Sequence, residues 1–532
     1  MYLLKAITTV GGYTMLSRVL GFVRDILIAS ILGAGTVADC FFVAFRFPNL
    51  FRRLFAEGAF AAAFVPIFSN LLEAEGRDKA KAFADQAFSV LFVILAFFVA
   101  LMEIIMPWAM VVLAPGFEAV AGKMELATEL SRIAFPYLLF ISLVSLQSGV
   151  LNSLHRFAAA AAAPVLLNIV LIAAMLGFAD GHGEATNAGH VLAWGVFAAG
   201  IVQFLWLIYH CRREGLPVWF ARPRLSDKVR LLGRRILPVV FGASLYQINL
   251  LIGTILASLV AEGAVSYLYY ADRVTQLPLG VVGVAVGTAL LPTLSRQLAG
   301  GDGAAATHSQ NRGLEFALLL TLPAAVALLV IAEPIVAVLF QRGAFGPMES
   351  LATAQALMAY ATGLPAYVLI RVLTPGFFAR EDTKTPVKIA AWSMLANIIL
   401  NLILMQIWGH VGIALASSLA AWMNAAGLAI ALRRRGHLEF DQRFSRRGPR
   451  IVLASFGMGI GLYVCFQALA PYLAGAESMR AMALAGLVAG GLLIFAFLAQ
   501  ILGAAGWQDF KGMLKRPANP PGDACPPPAE PP

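Results

Sequence analysis

Charged residues are scarce in this sequence. Asp, Glu, Lys and Arg make up 13% of its 532 residues, about half of the ~25% that is usual in soluble domains. Hydrophobic residues make up 60%, and the mean hydropathy is +0.80. A soluble chain of this length would divide into several domains that could not bury so much apolar surface without lipid. The composition therefore excludes an ordinary soluble protein and indicates an all-α, polytopic membrane protein.

Cysteine and known catalytic motifs are equally scarce. The four cysteines stand far apart, without the CxxC or Cys/His spacing of a disulfide framework, a zinc site or a haem site. No HExxH, GxSxG or P-loop motif occurs, and most of the seven histidines fall in loops. We therefore expect no catalytic residue, no metal site and no cofactor. Without an ATP site, any energy that the protein uses would come from an ion gradient, the membrane potential or a ligand's own gradient.

Long apolar stretches recur along the chain. A helix needs about 20 apolar residues to cross the hydrocarbon core, and we count fourteen such stretches. Their even number puts both termini on one side, and the excess of Lys and Arg in alternate loops puts that side in the cytoplasm. The net charge of +10 is thus explained without a nucleic-acid partner. The predicted spans are residues 8–32, 38–72, 86–113, 127–150, 157–179, 189–210, 236–260, 266–296, 314–340, 351–375, 387–407, 411–432, 451–471 and 481–502.

The first and seventh spans begin two similar units. Gly35 aligns with Gly263 at a shift near 227 residues, and Asn168 aligns with Asn397 at a shift of 229. Two six-span units of the same orientation predict two lobes related by an axis along the membrane normal, with the substrate between them. The predicted divisions are an N-lobe with its basic loop (1–235), a C-lobe with its basic loop (236–450), two further spans (451–502) and a disordered, proline-rich cytoplasmic tail (503–532).

Eight arginines fall inside the predicted spans. An arginine at a helix centre costs about 2.5–3.5 kcal/mol, so it should face a partner or a water-filled cavity. On the first span a helical repeat puts five residues on one face, and on the second it aligns four more, with Asn49 to one side. Arg52 lies about 120° from that second stripe, but Pro48 should kink or break the helix there. The two stripes are Ser17, Arg18, Gly21, Arg24 and Asp25, and Asp39, Arg46, Arg53 and Glu57.

Two interpretations of these charges remain open. In the first, they form internal pairs, Asp25 with Arg18 or Arg24, and Asp39 or Glu57 with Arg46 or Arg53. In the second, they line a cationic cavity for an anion, because three acids cannot neutralise all the arginines. A guanidinium makes two parallel hydrogen bonds to phosphate or carboxylate, so a diphosphate is a natural ligand.

Several of these residues belong to recognisable sequence motifs. The motifs are Ser17-Arg18-Val19-Leu20-Gly21-Phe22-Val23-Arg24-Asp25, then Ala44-Phe45-Arg46-Phe47-Pro48-Asn49-Leu50-Phe51-Arg52-Arg53, then Tyr269-Tyr270-Ala271-Asp272-Arg273. Together they closely resemble the motifs of the MurJ (MviN) family of lipid II flippases. The family belongs to the multidrug/oligosaccharidyl-lipid/polysaccharide exporter superfamily.

The resemblance implies a two-lobed transporter of the bacterial inner membrane. It would move lipid II, the undecaprenyl-diphosphate-linked peptidoglycan precursor, from the inner to the outer leaflet by alternating access. The last two spans would hold the lipid tail, and the surroundings would be membrane lipids and the cell-wall synthesis machinery. The headgroup would bind residues 24, 52 and 273, where the family selects Arg52 although the helical phase favoured Arg53. The candidate substrate-binding residues are Ser17, Arg18, Arg24, Asp25, Asp39, Asn49, Arg52, Glu57 and Arg273.

Other function classes stay open at this point. A cation-coupled multidrug or polysaccharide-lipid exporter of the same superfamily is the main alternative, although a drug cavity should be acidic or aromatic. A membrane enzyme acting on polyprenyl diphosphates would need an acid or metal cluster, for which only Asp25 and Asp39 are available. A non-transporting scaffold would leave the charges unexplained. The sodium site of some family members has no matching acids here, so the coupling ion is open.

Overall fold

Helices account for almost the whole of this computed structural model, which describes residues 2–55, 59–178 and 185–506. Those three ranges contain no strand. A short 3-10 helix, Pro115–Ala119, follows the fourth α-helix. The α-helices are α1 (Tyr2–Leu32), α2 (Thr36–Phe55), α3 (Ala59–Ala74), α4 (Arg77–Leu113), α5 (Lys123–Ala134), α6 (Tyr137–Ser153), α7 (Phe157–Phe178), α8 (Ala185–Arg213), α9 (Asp227–Ser258), α10 (Ala264–Ala299), α11 (Gly303–Val330), α12 (Ala332–Phe340), α13 (Pro347–Ala361), α14 (Leu364–Phe378), α15 (Lys384–Arg434), α16 (Gln442–Leu473) and α17 (Glu477–Ile501).

Long apolar helices dominate these ranges. Nine helices or helix pairs of the described chain are long and apolar enough to cross a membrane. Large apolar side chains are exposed on them, and Leu492, Leu493 and Phe497 of α17 are each at least 64% exposed. A surface of this kind is stable against lipid rather than water. The prediction of an all-α, polytopic membrane protein is confirmed, whereas the count of fourteen spans and their orientation stay predictions.

Three predicted spans are interrupted just ahead of a proline: span 127–150 breaks at Pro136, between α5 and α6, and two others break in the same manner. Helix α11 ends at Val330 and α13 ends at Ala361, each four residues before Pro334 or Pro365. Proline has no N–H to donate to the carbonyl four residues earlier, so the helical hydrogen-bond ladder stops there. The chain then continues as a second helix, which makes each span a broken pair.

Pro48, in contrast, does not end its helix. Helix α2 runs on to Phe55, although the sequence predicts a kink or a break at the proline. Aromatic packing holds the turns on both sides, since Phe47 and Phe51 lie 5.1 Å and 6.0 Å from the ring of Phe135. Burial of these rings offsets the one hydrogen bond that the proline removes.

Helix α15 is a hairpin of two antiparallel arms. Gly409 has φ +56°, a backbone conformation that glycine adopts without strain, and the backbones of Gly412 and Leu404 lie in close contact. Gly427 of the second arm packs on Ile389 of the first. The predicted spans 387–407 and 411–432 correspond to these arms.

Helix packing separates an amino-terminal set from a carboxy-terminal set. Helix α1 packs along α7, α7 along α8, and α2 against α5, whereas α10 packs against α11, α13 and α14. Helix α16 packs against α11 and α17. Helix α10 also contacts α2, and the charged residues of α1, α2 and α10 meet where the two sets touch.

Candidate functional site

A pair of arginines shares one carboxylate between α1 and α10. Arg24 donates to Asp25 Oδ1 from Nε at 3.0 Å and from Nη2 at 2.6 Å. Arg273 Nε lies 3.0 Å from the second oxygen, Asp25 Oδ2. Since Arg24 and Asp25 belong to the amino-terminal set and Arg273 to the carboxy-terminal set, this ion pairing joins the two.

Two polar residues hold these arginines in place. The hydroxyl of Tyr269 accepts from Arg273 Nη2 at 2.9 Å and donates to Asp25 Oδ1 at 3.1 Å. Asn168 of α7 accepts from Arg24 Nη1 at 3.0 Å and donates to the Ser17 carbonyl at 2.9 Å. The ring of Tyr269 stacks on Phe42 at 3.9 Å, which fixes its position. We call Arg24, Asp25, Asn168, Tyr269 and Arg273 the Asp25 cluster.

The Asp25 cluster carries more positive than negative charge. Two guanidinium groups face a single carboxylate, and the side chains of Arg24, Asp25 and Arg273 are 6%, 1% and 32% exposed. Arg273 is therefore the part that a ligand can reach. Arg18, one of the residues predicted beside it, is exposed and lies against Gly280 of α10. The arrangement suits an anion that offers several oxygens, because planar guanidinium groups bind phosphate bidentately.

A second buried acid closes the contact between α2 and α10. Asp39 Oδ1 accepts from the backbone N–H and the hydroxyl of Ser266, at 3.0 Å and 2.7 Å. Its Oδ2 accepts from Gly263 N and from Lys123 Nζ, both at 2.8 Å. Gly263 and Ser266 open α10, where unpaired N–H groups and the helix dipole attract a carboxylate. We call Asp39, Lys123, Gly263 and Ser266 the Asp39 cluster.

Further contacts seal the same end of the molecule. Glu262 accepts from the Thr36 backbone N–H at 3.1 Å and from its hydroxyl. These hydrogen bonds hold the pKa of Glu262 below its usual value. The backbone N–H of Ala344 donates to the Ser30 carbonyl at 2.8 Å. These contacts join the start of α2 to Glu262 and the end of α1 to Ala344.

The remaining predicted residues lie farther along α2. Asn49 donates from Nδ2 to the Phe45 carbonyl at 2.8 Å and accepts from Arg52 Nε at 2.9 Å. Arg46 donates to the Thr254 hydroxyl of α9. Glu57 lies outside the described residues.

The structure corrects one predicted pairing and confirms another. Asp25 pairs with Arg24, as the helical repeat of α1 predicts. The predicted partner of Asp39, Arg46 or Arg53, is wrong, because Asp39 pairs with Lys123 at 2.8 Å. Lys123 is only 2% exposed, although its position in the sequence predicts an outer loop.

Sequence reasoning missed two members of the Asp25 cluster, and each had left a signal. Tyr269 stands four residues before Arg273, on the same helical face. Asn168 is the residue that aligned with Asn397 between the two halves, and Asn397 in turn accepts from Asn401 at 2.7 Å. The described residues contain no group of three or more His, Cys, Asp or Glu that could hold a metal ion, and the coupling ion stays untested.

Comparison with known proteins identifies the family. The family model described as "Lipid II flippase MurJ" matches residues 28–496. A relative from Rhizobium meliloti strain 1021, named "Probable lipid II flippase MurJ", is 46% identical over 523 residues, which cover 98% of this chain and 97% of the relative.

Solved structures share the fold. One titled "Lipid II flippase MurJ, inward closed conformation" superposes with a TM-score of 0.76 at 24% identity, over 95% of this chain and 99% of that one. An inward-facing multidrug resistance MATE family transporter of the MOP superfamily superposes with a TM-score of 0.64 at 15% identity, over 81% and 98% of the two chains. At these identities the two structures support the fold alone.

Proposed function

This chain belongs to the lipid II flippase MurJ family, and we propose that it moves lipid II from the inner to the outer leaflet of the bacterial inner membrane. It is a multi-pass membrane protein and a transporter, not an enzyme. Its proposed substrate, the undecaprenyl-diphosphate-linked precursor, supplies peptidoglycan synthesis on the outer surface. Membrane lipids surround it, and the cell-wall synthesis machinery that uses the substrate is a proposed partner.

The surplus positive charge of the Asp25 cluster is the observation that carries this proposal. Moving a diphosphate headgroup through hydrocarbon is prohibitive unless fixed donors replace its water. Arg24 and Arg273 offer such donors from the two helix sets. Asp25 orients both while no anion is bound, and a diphosphate would compete with it for the same N–H groups.

The other predicted residues have different roles in this proposal, some in binding the headgroup and one in closing the transporter. Arg18 and Ser17 lie beside the Asp25 cluster and extend it along α1. Asn49 orients Arg52, which would meet the headgroup farther along α2. Because every hydrogen bond of Asp39 described above goes to an interhelix partner, we assign Asp39 to closing the transporter rather than to touching substrate.

Fourteen spans with both termini in the cytoplasm form the proposed topology. The proposed lobes are residues 1–235 and 236–450, with residues 451–502 as the tail groove and 503–532 as a cytoplasmic tail. The separate packing of the two helix sets supports the lobes. Lys123 falls on a predicted outer segment, so the Asp39 cluster would seal the outer end in this state, and rocking of the lobes would open it. An inside-negative potential favours outward movement of an anion by about 2.3 kcal/mol per charge per 100 mV.

The decisive experiment is complementation in cells depleted of their own flippase. Lipid II that reaches the outer leaflet is scored by an externally added toxin that cleaves it. We expect wild type to restore cleavage, and Arg24→Ala, Arg52→Ala and Arg273→Ala to leave it at the depleted level at matched protein amounts. Arg371→Ala is the matched control, since Arg371 lies on α14 and its side chain is exposed. If the three variants restored toxin cleavage fully, the proposed site would be wrong. If wild type did not restore cleavage, the proposed substrate would be wrong.

A cation-coupled multidrug exporter is the alternative, because the MATE transporter shares this fold. Its cationic substrates would be repelled by the Asp25 cluster. A wild-type protein that exports cationic dyes but does not restore toxin cleavage would favour it.

A further inference from the structure

A groove of about 410 Å³ opens between the two arms of α15. Its wall is apolar, with Ile389 and Trp392 on the first arm and Ile430 on the second. Trp392 is 71% exposed and Ile430 is 52% exposed. An apolar wall this exposed, on a helix pair that spans a membrane, needs a lipid chain to cover it.

Basic side chains ring one end of the groove. Lys388 and Arg434 line it, both are exposed, and the described part of the chain offers neither of them an ion-pair partner. Arg435 beside them is different, because it pairs with Asp382 and donates to the Thr385 hydroxyl at 2.8 Å. Two positive charges therefore remain available at the point where the arms of the hairpin begin and end.

We propose that this groove holds one anionic phospholipid of the bilayer. Its phosphate lies between Lys388 and Arg434, and an acyl chain runs along Trp392 and Ile430. Basic pockets between helices at a membrane surface bind anionic lipid heads, and tryptophan prefers the same interfacial level. The volume is within the ~300–1,000 Å³ of ordinary ligand sites. Only α15 and Arg435 just after it line the groove, so its ligand is separate from the headgroup bound at the Asp25 cluster.

Native mass spectrometry of the full-length protein tests this proposal. The purified protein is titrated with phosphatidylglycerol or with zwitterionic phosphatidylethanolamine, and the bound lipid is counted. We expect one phosphatidylglycerol to survive mild activation on wild type. The double variant Lys388→Gln/Arg434→Gln should weaken its binding by about fivefold for each basic group removed. Trp392→Ala should weaken retention of the same lipid through its acyl chain.

A matched pair of exposed arginines separates the groove from general surface charge. The double variant Arg234→Gln/Arg446→Gln removes two basic groups from other helices and should retain the lipid as wild type does. Size-exclusion profiles and melting temperatures establish that all variants are folded. The proposal would be overturned if both double variants weakened phosphatidylglycerol binding equally, or if Lys388→Gln/Arg434→Gln did not weaken it. It would also be overturned if wild type retained phosphatidylethanolamine as well as phosphatidylglycerol. Loss of the bound phosphatidylglycerol when undecaprenyl diphosphate is added would overturn it too, because the groove would then be a substrate site.

Discussion

Asp25 and Asp39 are both almost fully buried where α10 meets the amino-terminal helices, yet their surroundings differ. Asp39 receives four hydrogen bonds, and the single charge of Lys123 balances its own. Asp25 faces two guanidinium groups, one of them 32% exposed. The difference teaches how one interface serves two purposes. In the proposed mechanism, Asp39 with its full set of partners holds the outer end closed, whereas Asp25, outnumbered by two guanidinium groups, keeps cationic donors ready for an anion.

Asp39→Asn should give the largest effect. It leaves Lys123 buried without a counter-charge and turns an amide N–H group toward donors, and breaking a buried pair in this way costs about 3–5 kcal/mol. We expect a large fall in the melting temperature of the purified protein and a wider separation of spin labels on the two helix sets. The double variant Asp39→Asn/Lys123→Met should recover part of the loss. A wild-type melting temperature for Asp39→Asn would show that the Asp39 cluster does not hold the closure.

Gly263→Ala should come next. Gly263 has φ +82°, and an added Cβ would lie 2.6 Å from the Ala34 carbonyl oxygen. The backbone strain costs about 1–2 kcal/mol, and forcing the neighbours apart adds about 1–3 kcal/mol. Gly122→Ala is the matched control, since Gly122 has φ +75° with open space around it. The melting temperature of Gly263→Ala should be lower than that of Gly122→Ala, and the difference should report the steric clash alone. Equal melting temperatures would mean that the Ala34 carbonyl moves away from the added Cβ at no cost.

Asp25→Asn should cost less stability, about 1–3 kcal/mol, because Arg24 keeps Asn168 and Arg273 reaches solvent. Its main effect should fall on the ligand. Removal of the competing carboxylate should leave binding of undecaprenyl diphosphate equal or tighter, while lipid II transport falls because the arginines lose their alignment. Binding is measured on the purified protein, with Arg273→Gln as the variant expected to weaken it. Weaker binding in Asp25→Asn would mean that Asp25 supports the ligand directly.

The sequence predicts the Asp25 cluster better than the Asp39 cluster for a physical reason. Arg24 and Asp25 lie on one helix, so the helical repeat and the cost of a charge inside the membrane both mark them as candidate site residues. Lys123 pairs with Asp39 although the two residues are 84 positions apart in the sequence. Because Lys123 stands just before a predicted span, its position is that of an ordinary lysine in an outer loop. Pro48 shows the same limit, since aromatic packing from Phe135 decides that α2 continues. Local patterns thus reveal the helices and their charged faces, and tertiary packing decides the partners.

Glu262→Gln should give the smallest effect, because Glu262 is an exposed neighbour of the Asp39 cluster. Its lowered pKa means that the closed end is stabilised while Glu262 is ionised, and that this stabilisation is lost as the pH falls toward the lowered value. Solvent screening limits the contribution to less than about 1 kcal/mol. Wild type should melt slightly above Glu262→Gln at pH 7, and the difference should shrink as the pH falls through the lowered pKa of Glu262, with the exposed acid variant Glu125→Gln as control. A fall in melting temperature as large as that of Asp39→Asn would mean that many surface contacts together hold the outer end closed. The contrast between the two buried acids would then not explain the closure.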